Sequence, residues 1–120
     1  MRFSLTLLLL MFVTTLSAQS KCDRVRVGTF YSKPDVKKNQ PLVTVERSEF
    51  SQFETIGDNE PIQYSLRWLD ECKFVLEKTV DEELLRIVVT ITKAKKKYYT
   101  YSATSLGLPI VTGKLYRKKP

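Results

Sequence analysis

The chain has no histidine, only two cysteines among its 120 residues, and four glycines that stand apart from one another. Each absence removes a class of chemistry. Without histidine there is no ordinary general base poised near neutral pH, no Ser-His or Cys-His nucleophile pair, and none of the commonest zinc ligand. Two distant cysteines do not make a zinc site of usual composition. Isolated glycines make no phosphate-cradling loop. No cofactor is expected. There is also no internal repeat, no low-complexity linker and no sustained helical period. The segment "VDEELLRIV" starts like a helical turn, but its β-branched continuation argues for a strand.

What the chain does contain begins with an address. Arg2 supplies a positive start, Leu5 to Val13 is an apolar run, and "TTLSAQS" follows with small residues. That order is the pattern of a secretory signal peptide, and the run is well short of the ~20 apolar residues a membrane-spanning helix needs. Residues 1–18 are therefore expected to be a removed signal, with cleavage after Ala18 or Ser20. Residues 19–120 then form a single domain, exported to a periplasm or secreted, with no transmembrane segment after signal removal. An exported domain this small gains from a covalent brace, and two cysteines allow one intramolecular pairing, Cys22 with Cys72.

The formal charge is +7, of which Arg2 belongs to the signal. A basic excess favours anionic partners in general and selects none. Part of it is local, in Lys93, Lys95, Lys96 and Lys97 and in the tail "LYRKKP". These four lysines are candidate anion-binding residues, and the bland reading is a solvated hairpin tip. Tyr98 lies beside them, whereas alternation assigns Tyr99 and Tyr101 to the core. That leaves little for stacking nucleic acid, which an exported address also disfavours.

Beyond the signal, Val, Ile, Thr, Tyr and Phe recur with period two, broken by turn residues at short intervals. The reading is all-β, an antiparallel meander of about eight strands that is either a curved open sheet or an up-and-down barrel. Four register expectations follow. Val25, Val27 and Thr29 should share one face of the first strand. A two-residue turn at Asp58-Asn59 should set Phe53 against Tyr64 and Ser51 against Leu66, leaving Gln52 and Glu54 on a wet face. Loops at 69–71 and 94–96 should set Trp68 opposite Cys72, Leu66 opposite Phe74, Ile91 opposite Tyr99 and Val89 opposite Tyr101, keeping one aromatic face continuous.

Few groups offer chemistry. The adjacent acids in "DEC" and "VDEELL" point to opposite faces if they lie on a strand, and acids suit turns. Glu54 stands out, mid-strand with Gln52 on its face and Arg47 and Arg67 expected nearby. These four are candidate ligand-binding residues, with cross-strand ion pairing as the structural alternative.

The string Trp68, Cys72, Phe74, Leu76, together with "VGTF", Arg47 and "QFE", resembles a family of small exported bacterial proteins, some of them lipoproteins, with no established activity. The resemblance spans Cys22 to Leu76. It implies a shared fold and an exported location, and it carries over no catalytic residue. Lys21 before Cys22 departs from a lipid-attachment site, which needs a small residue there. The functional expectation is an exported, non-enzymatic β domain that binds a partner or supports the cell envelope. The alternatives are a lipocalin-like carrier of a small apolar ligand, an enzyme using Glu54 with a neighbouring arginine, and a binder of an anionic envelope component through the lysine tip.

Overall fold

The computed structural model describes residues 21–106 and 108–120. The expected signal and its cleavage sites lie outside the described residues. A short 3₁₀ helix, Lys21–Val25, leads into eight strands: β1 (Gly28–Tyr31), β2 (Val43–Arg47), β3 (Ser51–Ile56), β4 (Ile62–Asp70), β5 (Lys73–Val80), β6 (Glu83–Ala94), β7 (Tyr98–Thr104) and β8 (Val111–Tyr116). Each pairs antiparallel with the next, and β1 meets β8, so the meander closes into a barrel. Closure is thin: Tyr31 opposite Tyr116 is the one registered pair between β1 and β8. Arg117 continues the seam by donating from Nη2 to the Arg24 carbonyl, while its amide extends the β7–β8 ladder by donating to the Lys97 carbonyl at 2.9 Å.

Inside, alternation gathers Phe30, Val45, Leu66, Phe74, Val89 and Tyr99 into one core. Outside, Arg67 and Arg86 flank Glu77 across β4, β5 and β6 at 3.8 and 3.1 Å. Charge on the outer wall and apolar residues within reverse the pattern of a barrel that faces lipid. Among the described residues no helix is long and apolar enough to cross a membrane.

The disulfide joins Cys22 to Cys72, with Cα atoms 5.4 Å apart, and pins the 3₁₀ helix over one end of the barrel. Closing 50 residues of chain constrains the unfolded state by about 4 kcal/mol on the loop-entropy account.

Two register expectations slip by two residues and keep their faces. Trp68 lies opposite Phe74 and Leu66 opposite Leu76, because a bulge at Leu69 lets the chain turn at Glu71 and Cys72. Ile91 likewise lies opposite Tyr101 and Val89 opposite Ala103, with a bulge at Thr92. The other two expectations fail. Val25 is in the 3₁₀ helix, Val27 is exposed, and the inward residue of β1 is Phe30, fully buried. In β3 the error is a single residue: Gln52 lies opposite Tyr64 and Glu54 opposite Ile62. Gly57 takes φ of 58° and its amide bonds the Leu42 carbonyl at 2.8 Å, so the chain follows β2 one residue longer. The turn then centres on Asp58 with an odd number of residues. A one-residue slip exchanges the faces of the whole strand.

Candidate functional site: a polar cluster inside the barrel

The slip in β3 puts two polar side chains where apolar ones were expected. Gln52 and Glu54 point inward, and Arg47 joins them because it shares the inward face of β2 with Val43 and Val45. Arg47 is 4 % exposed and Gln52 3 %. A cation so buried needs hydrogen bonds to offset its lost hydration. Arg47 donates from Nε to Gln52 Oε1 at 2.7 Å, from Nη1 to the Val25 carbonyl at 2.8 Å and from Nη2 to Tyr99 Oη at 2.6 Å. Its guanidinium also lies 4.6 Å from the Phe74 ring centre and 5.1 Å from that of Phe30. Phe30 in turn meets Tyr99 edge to face at 5.1 Å. One arginine thereby ties the 3₁₀ helix to β2, β3 and β7.

Gln52 connects this cation to Glu54. It accepts from Arg47 through Oε1 and donates from Nε2 to Glu54 Oε1 at 3.0 Å. The two charges are held apart by an amide and make no direct ion pair among the described residues. Burial raises the Glu54 carboxyl above its ordinary range, outweighing the Gln52 hydrogen bond and the Arg47 charge, which lower it. Burial likewise raises the phenols of Tyr64, Tyr99 and Tyr101.

Above this cluster the barrel is not filled. A cavity of about 590 Å³ opens beside Arg47, Glu54 and Tyr101, is walled by Leu76 and Val89, and reaches Leu108 at the rim. Tyr101 lies flat over β8 because residue 113 is glycine. A Cβ there would fall 2.4 Å from the Tyr101 hydroxyl, so glycine leaves the ring its place against the wall.

Of the four candidate ligand-binding residues, the structure brings Arg47, Gln52 and Glu54 together and excludes Arg67. Arg67 stands on the outer wall, exposed and beside Glu77. Lys93, Lys95, Lys96 and Lys97 are exposed, the last three in the β6–β7 hairpin tip. Tyr99 is the member that sequence reasoning placed in the core without seeing its role. Its contact with Arg47 spans 52 residues across a closed barrel, and no local pattern announces which strands face one another.

The cluster can hold a polar head and the wall an apolar body. Among the described residues Glu54 is the only carboxylate lining the cavity, so a two-carboxylate hydrolytic pair has no second member there. The described residues also contain no group of three or more Cys, Asp or Glu placed to hold a metal ion. Compared with known proteins, the chain matches no family model, no curated protein and no solved structure.

Proposed function

We propose that this protein is an exported, non-enzymatic carrier that holds one small, largely apolar ligand inside its barrel. The observation that carries the reading is the cavity: about 590 Å³, in the size range of small-molecule sites, apolar over most of its wall and polar at a few converging groups. An eight-stranded barrel has room for one small ligand or for a full packing of side chains, and here the side chains leave space. Export is supported by the pattern of residues 1–18 and by the disulfide, which persists in oxidising compartments. Native mass spectrometry of the exported protein tests the carrier. The expected spectrum contains a one-to-one non-covalent adduct, either co-purified or formed with an added apolar probe. Adducts that are absent with every apolar probe tried would contradict it.

A second reading concerns where such a carrier docks. The Arg117–Lys97 backbone bond and the Arg117–Arg24 contact bring the C-terminal basic residues beside the lysine tip and the 3₁₀ helix. Lys95, Lys96, Lys97, Arg117, Lys118 and Lys119 thus gather at the capped end. That end would face an anionic envelope surface while the mouth stays free. Sedimentation with anionic vesicles should fall steeply with added salt; salt-insensitive association would exclude this contact.

A further inference from the structure

The carrier reading leaves the head group of the ligand open, and the charges inside the cavity narrow it. Arg47 has five N–H donors. Three carry bonds, all to neutral acceptors: Gln52, the Val25 carbonyl and Tyr99. Among the described residues the other two N–H groups meet no acceptor, and the side chain lines the cavity. Glu54 uses Oε1 to accept from Gln52, and among the described residues its other oxygen accepts nothing. The head group therefore meets donors on Arg47 and an acceptor on Glu54.

Resting on that reading, we propose that the ligand is a single-chain carboxylic acid, bound with its carboxyl inward at Arg47 and one proton shared between that carboxyl and Glu54. Charge decides among head groups. An amine would place a second cation beside a guanidinium that does not deprotonate. An alcohol offers Arg47 only one more neutral acceptor, whereas a carboxylate takes charge-assisted, bidentate hydrogen bonds from a guanidinium. A carboxylate brings a second negative charge next to Glu54, and two carboxylates in contact do not both stay ionised. With one proton between them the pair carries a single negative charge against the single positive charge of Arg47. Burial already raises Glu54, which favours holding that proton. The other ionisable groups facing Glu54 are Tyr64 on β4 and Tyr99 and Tyr101 on β7, whose phenols burial keeps neutral through this range.

The sign of the pH dependence follows. The free acid is ionised above about pH 6. Below the pKa of Glu54 in the ligand-free protein the proton is already in place, and affinity is flat. Above that pKa each bound acid must take up a proton, and affinity falls about tenfold per pH unit.

Calorimetry on the full exported protein tests this with three probes of equal chain length: dodecanoic acid, dodecanol and dodecylamine, from about pH 6 to about pH 8. The acid should bind at least about tenfold more tightly than either of the others near pH 6. Buffers of differing ionisation enthalpy should show uptake approaching one proton per acid at the upper end. Glu54→Gln should abolish that uptake and make acid binding independent of pH. Arg47→Met should erase the preference for acid over alcohol, and if that variant does not fold, the Gln variant still decides. Equal binding of all three probes, or tightest binding of the amine, would overturn the head-group assignment and leave the carrier standing. Acid bound without proton uptake at a pH where Glu54 of the ligand-free protein is ionised, read from its carboxyl carbon shift, would overturn the shared proton. Failure of all three probes to bind would remove the carrier reading itself.

Discussion

The two ends of this barrel are built differently. At one end the 3₁₀ helix lies under a disulfide, Trp68 packs on Phe74 at 4.9 Å, and Arg47 is held by three hydrogen bonds. At the other end the connections 32–42, 57–61 and 105–110 are longer, and among the described residues Asn39, Gly57, Asp81 and Glu82 take left-handed backbone there. Apolar side chains at that end stand in water, with Val36 91 % and Leu106 101 % exposed. The capped end spends its aromatic residues and its covalent bond on rigidity. The open end spends apolar surface on nothing within the described chain. On the carrier proposal, the contrast gives stability to one end and ligand entry to the other.

Perturbing the capped end should therefore cost most. Replacing both cysteines by serine should lower unfolding free energy by about 4 kcal/mol in urea titration, with the mouth loops unchanged in proteolysis. Arg47→Met comes next. It leaves Gln52, the Val25 carbonyl and Tyr99 without their donor and Glu54 without a countercharge, and should cost about 3 kcal/mol by the same measurement. Gly113→Ala lies between the ends. It forces Tyr101 off the wall and into the cavity, at a cost of about 1–3 kcal/mol, and should weaken ligand binding even where the protein stays folded.

Glu54→Gln should act in the opposite sense. A carboxyl raised on folding binds protons more readily in the folded state. Its ionisation then destabilises the fold, an effect fully present above the folded pKa and absent below the unfolded one. The variant should raise the thermal midpoint at pH 8 and leave it unchanged at pH 4. The smallest effect belongs to the open end. Leu106→Asp should shift unfolding by no more than about 0.5 kcal/mol, because that side chain is already in water. A large loss there would break the contrast between the ends.

The sequence shows the capped end more plainly than the open one. Two cysteines admit one pairing, and Tyr64, Leu66, Trp68, Phe74 and Leu76 alternate so consistently that their shared face survives a register shift of two. Strand count and antiparallel order follow from the same alternation. The candidate site is harder to see. β3 alternates Phe53 against Gln52 and Glu54, so hydrophobicity alone points its aromatic residue inward. What reverses the strand is the parity of one turn, set by Gly57 holding to Leu42. Arg47 was visible on the face of Val43 and Val45, but its partner Tyr99 arrives only when β1 meets β8 and the sheet closes. Near its start the chain has a 3₁₀ helix that strand-like residues do not advertise, since Cys22 is held by a bond to a residue 50 positions away.

The central claim is that a ligand enters the barrel and lies between Arg47 and the open end. Backbone and methyl chemical shifts of the protein, followed during titration with dodecanoic acid, test it most directly. The account predicts saturable shifts at Leu76, Val89, Tyr101 and Leu115, which line the cavity, with little change at Val27 and Leu69 near the capped end. Shifts confined to exposed residues such as Val36, Leu84 and Leu106, with the interior unmoved, would contradict it.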